Sequence, residues 1–269
     1  LTELNGYFSK LQLKGILGSL AVIFGLAGTA FSQTFVAPVQ NPFGITILNP
    51  TTIAPATSAD IDNDGDLDIF QVGVDGKVEF FENIGTSIAP AFANPVSNPF
   101  GLVSGYNYPA LALADLDNDG DMDLLMGEYN INGQIQYFEN TGSASLPVFS
   151  APVVNPFGLT NTLSLSYLTI ADIDNDGDFD ILTGEFYGNL IYFENTGSAG
   201  APAFSAGVTN PFGLVPPIGN FIFPSLGDID GDGDFDLVVG EYYGSIVYYE
   251  NTGTVSAPAF AAGVVNPFG

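Results

Sequence analysis

The chain of 269 residues has no cysteine, no histidine, no tryptophan and no arginine, and its basic residues are Lys10, Lys14 and Lys77. Each absence closes a class of chemistry. Without cysteine or histidine there is no disulfide framework, no structural zinc site, no Cys-His pair and no Ser-His-Asp triad. With Lys77 as the sole base beyond residue 14, the chain cannot neutralise the phosphates of a nucleic acid or of an anionic membrane. Direct binding to either is excluded, and any catalysis would rest on carboxylates, tyrosine or a hard metal ion.

Acid is what the chain has in excess: 21 Asp and 9 Glu give a formal charge of -27. Extreme acidity produces disorder when hydrophobicity is low. Here 46% of residues are hydrophobic, including 23 Phe and 12 Tyr. The acid is therefore concentrated in particular segments, with a core built from the others.

The first 32 residues read as a signal peptide, with Lys10 and Lys14 ahead of an apolar run at 15–31. Ala30 and Ser32 supply the small residues expected before a cleavage at Gln33. A signal anchor is the alternative reading of the same run. Cleavage would remove Glu3, Lys10 and Lys14 and move the formal charge from -27 to -28. Export implies an oxidising compartment, yet the chain offers no disulfide, so something else must staple it.

From residue 33 onward the sequence repeats with a period near 56. Asn-Pro-Phe-Gly recurs at 41, 98, 155, 210 and 266. Between successive marks lie an Asp-rich nonapeptide, an apolar run and a Glu-Asn-x-Gly turn beginning at Glu82, Glu139, Glu194 or Glu250. Within the second unit, strands are expected near 109–114, 124–127, 134–138 and 148–154, and no helical period follows residue 32. A four-stranded unit of this size cannot bury both faces of its own sheet, so units must pack face to face. The expected fold is all-β, a propeller of four-stranded antiparallel blades. A linear β-solenoid is the alternative.

The expected organisation is a signal peptide at 1–32 and repeats over 33–269. The repeats divide into an orphan fourth strand at 33–44 and units at 45–101, 102–158, 159–213 and 214–269. Five fourth strands against four complete sets lead us to expect a fragment of a larger ring, the other option being closure of four blades with one strand redundant. Asn83, Asn140, Asn195 and Asn251 are expected to form turns.

The four nonapeptides are DIDNDGDLD, DLDNDGDMD, DIDNDGDFD and DIDGDGDFD. Their aspartates occupy positions one, three, five, seven and nine: Asp60, Asp62, Asp64, Asp66 and Asp68; Asp115, Asp117, Asp119, Asp121 and Asp123; Asp172, Asp174, Asp176, Asp178 and Asp180; Asp228, Asp230, Asp232, Asp234 and Asp236. They account for 20 of the 30 acidic residues. Two carboxylates about 5 Å apart repel by roughly 3 kcal/mol at an effective dielectric of 20. Five of them in nine residues call for a cation. A flexible loop offering only oxygen ligands suits Ca²⁺ better than octahedral Mg²⁺. Side-chain ligation is expected from positions one, three, five and nine and backbone carbonyl ligation from position seven, with glycine at position six turning the chain. An EF-hand is excluded, because position twelve is Gln71, Met126, Thr183 or Val239 and the flanks read as strands.

The loop D-x-D-x-D-G-x-x-D between two strands, followed by an apolar run ending in Gly73, Gly127, Gly184 or Gly240, resembles the FG-GAP repeat of integrin alpha-subunit propellers and the related VCBS-type repeats of bacterial surface proteins. The resemblance covers residues 33–269 and implies propeller blades, a structural Ca²⁺ in each loop (about four in all) and a role in adhesion or ligand binding. It also implies a bacterial secreted or surface protein. Two features depart from that family: its usual ring has seven blades, and Phe-Gly here sits within Asn-Pro-Phe-Gly.

In an up-and-down blade the calcium loops and Glu-Asn-x-Gly turns share one face. The opposite face then carries Tyr106, Tyr108, Tyr129, Tyr167, Tyr187, Phe221, Phe223, Tyr242 and Tyr243, together with Glu128, Glu185 and Glu241. Its inter-unit segments are the least repetitive part of the chain, which marks them as the binding surface. The same aromatics could instead cap the blade core. The expected function is a secreted or surface-displayed recognition module, not an enzyme, that binds a protein or glycan and has no membrane span after signal cleavage. The alternatives are a carbohydrate-active enzyme, a lyase or a glycosidase using the glutamates, and a purely structural spacer.

Overall fold

The computed structural model describes residues 43, 45, 56–72, 76–102, 110–128, 132–162, 166–215, 221–242 and 244–267. The expected signal segment at 1–32 and, apart from Phe43, the orphan segment at 33–44 lie outside the described residues.

The described residues form sixteen strands. They are β1 (Ala56–Ala59), β2 (Asp68–Val72), β3 (Val78–Phe81) and β4 (Val96–Ser97); β5 (Ala110–Ala114), β6 (Asp123–Gly127), β7 (Ile135–Phe138) and β8 (Val153–Val154); β9 (Tyr167–Ala171), β10 (Asp180–Gly184), β11 (Leu190–Phe193) and β12 (Val208–Thr209); β13 (Ile222–Gly227), β14 (Asp236–Glu241), β15 (Ile246–Tyr249) and β16 (Val264–Val265). Each set of four makes one antiparallel sheet in sequence order. These are the blades of a β-propeller, as the repeat arithmetic requires. The innermost strands meet in the order β1, β5, β9, β13, and among the described residues no comparable contact brings β13 back to β1.

The central strands are buried on both faces because each blade lies against its neighbour. Between the first two blades, Phe70, Val78 and Phe80 pack on Leu124, Met126 and Phe138. Between the second and third, Leu125, Ile135 and Tyr137 meet Ile181, Ile191 and Phe193. Leu182, Leu190 and Tyr192 then meet Leu237, Val239 and Val247 of the fourth. The glycine that ends the second strand is required by the same packing. A Cβ on Gly127 would lie 1.9 Å from the Ser166 carbonyl oxygen, and one on Gly184 would lie 2.1 Å from that of Ile222. The fourth blade shows the interface from its open side. Val78, Ile135 and Leu190 are 0% exposed, whereas Ile246 at the equivalent position is 45% exposed.

The Asn-Pro-Phe-Gly marks are blade-to-blade latches. Asn98, Asn155 and Asn210 take left-handed conformations with φ of 49°, 47° and 50°. Each side-chain Oδ1 accepts the N–H of the first residue in the preceding strand: Val78, Ile135 and Leu190, at 3.1, 2.9 and 2.9 Å. The following phenylalanine offers its carbonyl to the next blade: Phe149 N–H donates to Phe100 O at 2.9 Å, Phe204 to Phe157 at 2.7 Å and Phe260 to Phe212 at 3.0 Å. Phe92 N–H reaches Phe43 O at 3.2 Å in the same way, so the first mark latches onto the first blade.

The fourth strand differs from expectation. Instead of one run over 148–154, there is a single bridge between Asn140 and Phe149, then a gap through Pro152, then two residues paired on β7. Proline has no N–H for the ladder and is tolerated here because this strand is the outer edge of its sheet. No helix among the described residues is long and apolar enough to cross a membrane.

Candidate metal loops and the opposite face

Each Asp-rich loop joins the first strand of a blade to the second. Asp60, Asp62 and Asp64 bring ligand oxygens within 4.8 Å of one another, as do Asp115, Asp117 and Asp119; Asp172, Asp174 and Asp176; and Asp228, Asp230 and Asp232. The backbone enforces this convergence. Asp60 accepts the N–H of Asp64 on one oxygen and that of Gly65 on the other, both at 3.0 Å. Asp115 and Asp172 hold their own loops identically. Position five then accepts the N–H of position seven in all four loops. Glycine at position six has φ of 95° to 100°, a conformation costly for any residue with a Cβ. Position four is also left-handed, which asparagine tolerates at 63, 118 and 175 and which Gly231 takes freely in the last loop. There Asp228 accepts the Gly231 N–H instead, at 2.7 Å.

Positions seven and nine are buried more deeply than this trio. The seventh-position carboxylates, Asp66, Asp121, Asp178 and Asp234, are buried, and each has an Oδ1 with no hydrogen-bond partner. At position nine, Asp68, Asp123, Asp180 and Asp236 are buried at the start of the second strand. Each accepts the backbone N–H of the asparagine in the Glu-Asn-x-Gly turn, from Asn83, Asn140, Asn195 and Asn251 at 2.7 to 2.9 Å. The asparagine side chains form the turn itself: Asn195 Oδ1 accepts from Gly197 at 3.1 Å and from Ala203 at 2.9 Å, and the other three do the same. The Asp-rich loop and the turn are thus stapled together at one end of the blade.

Burial pushes the ninth-position carboxyls up, Asp68 and Asp180 to about 7 and Asp123 to about 6, against the opposing pull of the asparagine N–H donors. Asp236 is raised for the same reason. Asp234 is pushed to about 6 by burial first and by the charge of Asp232 next. Asp62, Asp117 and Asp174 are raised by burial and then by the aspartate two residues on. Loops holding this much disfavoured negative charge, with buried carboxylate oxygens lacking donors and with oxygen as their only donor atom, fit a hard divalent cation.

On the opposite face the named aromatics separate. Tyr106, Tyr108, Tyr129 and Tyr243 lie outside the described residues. Tyr167 and Phe223 are buried together with ring centroids 4.1 Å apart. Tyr187 and Tyr242 are 65% and 44% exposed. They end a row of four rings: Tyr187 lies 5.1 Å from Phe186, Phe186 lies 4.6 Å from Phe221, and Phe221 stacks on Tyr242 at 5.1 Å. Phe221 is held at φ 55°, with its N–H donating to Phe186 O at 3.0 Å. Glu128 and Glu185 are buried, Glu185 accepting a hydrogen bond from the Asn189 side-chain amide, and Glu241 is half-buried.

Phe186, between Glu185 and Tyr187 in the segment that the sequence places on this face, completes the aromatic row. Sequence reasoning missed two contributors. The N–H groups of the turn asparagines hold position nine. Tyr137, Tyr192 and Tyr248 donate their hydroxyls to Asp123, Asp180 and Asp236. A tyrosine recurring two residues before Glu-Asn in the second, third and fourth units was the available signal.

Among proteins of known identity, integrin alpha-3 of Mus musculus is 30% identical over 162 residues, covering 54% of this chain and 15% of its own length. Integrin alpha-3 of Cricetulus griseus matches to the same extent. The chain therefore spans about 15% of the length of these curated relatives. Among solved structures, the pore of the Photorhabdus luminescens Tc holotoxin superposes with a TM-score of 0.41 at 18% identity, over 70% of this chain and 8% of that one. A model of the FG-GAP repeat matches residues 223–257. A model of the FG-GAP-like repeat matches residues 60–126, 115–183 and 172–239, each match running from one Asp-rich loop through the next; the chain belongs to the FG-GAP-like repeat family.

Proposed function

We propose that this chain is an extracellular recognition module, held rigid by about four structural Ca²⁺ in its Asp-rich loops, that binds a protein or glycan through the face opposite those loops. The row Tyr187, Phe186, Phe221 and Tyr242 carries the reading. Exposed aromatic rings offer a flat apolar body with a polar edge, the chemistry that stacks on sugar rings and anchors protein interfaces. The positive φ of Phe221 costs energy, and its neighbours maintain it, as at sites where backbone strain serves a binding geometry. The −27 formal charge directs the choice of ligand away from acidic polymers.

Calcium is favoured over magnesium because the loops offer many oxygens on a flexible backbone rather than a few at octahedral spacing. A non-catalytic role is supported by the glutamates, since Glu128 and Glu185 are buried and recur at equivalent positions of successive blades. The test is binding of the calcium-loaded chain to glycan and surface-protein arrays, repeated with a Tyr187→Ala/Tyr242→Ala variant. Binding that disappears in the variant, with its melting curve unchanged, is the expected result. A ligand retained at full affinity by the variant would place the binding surface elsewhere.

A further inference from the structure

In three of the four loops the ninth-position aspartate is held at both oxygens. Asp123 Oδ1 accepts the Asn140 N–H at 2.8 Å, and its Oδ2 accepts the Leu116 N–H at 3.2 Å and the Tyr137 hydroxyl at 2.9 Å. Asp180 repeats the set with Asn195, Ile173 and Tyr192 at 2.8, 3.1 and 3.0 Å. Asp236 does so with Asn251, Ile229 and Tyr248 at 2.9, 3.1 and 3.0 Å. The first blade departs. At the register position of Tyr137, Tyr192 and Tyr248 its third strand carries Phe80, paired with Phe70. Asp68 keeps the Asn83 N–H at 2.7 Å, but its Oδ2 is buried and accepts no hydrogen bond, although the residue is only 2% exposed.

We propose that Tyr137, Tyr192 and Tyr248 are positioning residues that fix the ninth-position carboxylate for the cation, and that the first loop, lacking the hydroxyl, is the weakest of the four calcium sites. The inference rests on the calcium reading above. A donor behind a ligating carboxylate removes its rotational freedom before the ion arrives, and loss of such a partner typically lowers metal affinity 10- to 100-fold. The remaining parts of the first loop match the others: Asp60, Asp62 and Asp64 converge, Gly65 turns the chain and Asn83 staples the carboxylate. Two donors to Oδ2 separate it from its neighbours: the tyrosine hydroxyl, which its sequence lacks, and the backbone N–H that Leu116, Ile173 and Ile229 supply and that Ile61 does not bring into hydrogen-bond geometry.

Calcium binding to the full chain is measured by isothermal titration in competition with a chelator, for the wild type and for the Phe80→Tyr, Tyr192→Phe and Asp62→Ala variants. The wild type is expected to show three tight sites and one weaker by about 10-fold. Asp62→Ala should delete the weak step and spare the tight ones. Phe80→Tyr should merge the four sites into one class, a gain that misfolding cannot imitate. Tyr192→Phe should move one tight site into the weak class, and equal melting temperatures in EDTA would show that its fold is unchanged. Four equal wild-type sites, a first site tighter than the rest, or a Phe80→Tyr variant that leaves the weak site weak would overturn the tether while leaving calcium binding intact. No calcium binding by the wild type would overturn the calcium reading itself.

Discussion

The two ends of each blade follow opposite rules. At the loop end, four copies share one ligand spacing, one glycine turn and one staple from a ninth-position aspartate to an asparagine N–H. At the other end, the second blade closes its turn from the Glu128 N–H to Gln134 O, whereas the third and fourth close shorter ones, from Glu185 to Asn189 and from Glu241 to Ser245. The difference reflects demand. Holding charge in a tight turn imposes the same physics on every copy, whereas a surface free of that demand can diverge, and divergence on a rigid scaffold is how binding surfaces arise.

Chelation should break the loop end first and most. A structural site filled at 100 times its dissociation constant contributes about 2.7 kcal/mol. Four such sites rival a typical domain stability of about 5 to 15 kcal/mol. Excess EDTA is expected to lower the melting temperature by at least about 10 °C, read by circular dichroism; a superimposable curve would remove the ions from the account of stability.

A smaller effect of the same origin is expected from Asn195→Ala, which leaves the N–H groups of Gly197 and Ala203 without their acceptor. The cost should be about 2 kcal/mol in urea unfolding. A loss below about 0.5 kcal/mol would mean that water replaces the side chain.

The pH response should differ in sign between the metal-free and loaded protein. Asp68 and Asp180 rise from the ordinary 3.8 to about 7 on folding, so their neutral forms favour the folded state. That contribution is fully present below about pH 4 and is lost as pH rises through about 7. In EDTA the protein should melt higher at pH 5 than at pH 8. With calcium the order should reverse, because the ion binds the ionised carboxylates.

The smallest effect on stability is expected at the other end. Tyr187→Ala should change unfolding free energy by less than about 0.5 kcal/mol, since its ring is largely exposed. A larger loss would make the aromatic row a structural cap.

Much of this architecture was legible in the sequence. Four Asp-rich loops, four strands per unit and the shared face of loop and turn all follow from repeats, period-two patterning and antiparallel geometry. The role of Asn-Pro-Phe-Gly did not, because its carbonyl bonds to a neighbouring blade about fifty residues later, as Phe100 does to Phe149. Nor did the sorting of aromatics. Tyr167 and Tyr187 look alike as letters, and only the position of Phe223 beside the first decides that it is buried. The Asp-to-Tyr tethers escaped for a similar reason: their partners lie on adjacent strands, 12 to 14 residues apart in sequence.

What the sequence determined by itself is local. Aspartate spacing, glycine and asparagine at left-handed positions, and alternating apolar residues dictate loops, turns and strands wherever they occur, because these depend on a few neighbouring dihedrals. Which surfaces are covered was decided by the tertiary structure alone. Leu190 and Ile246 occupy the same register in their blades, yet one is fully buried and the other is not, because burial is conferred by the next sheet and not by the residue.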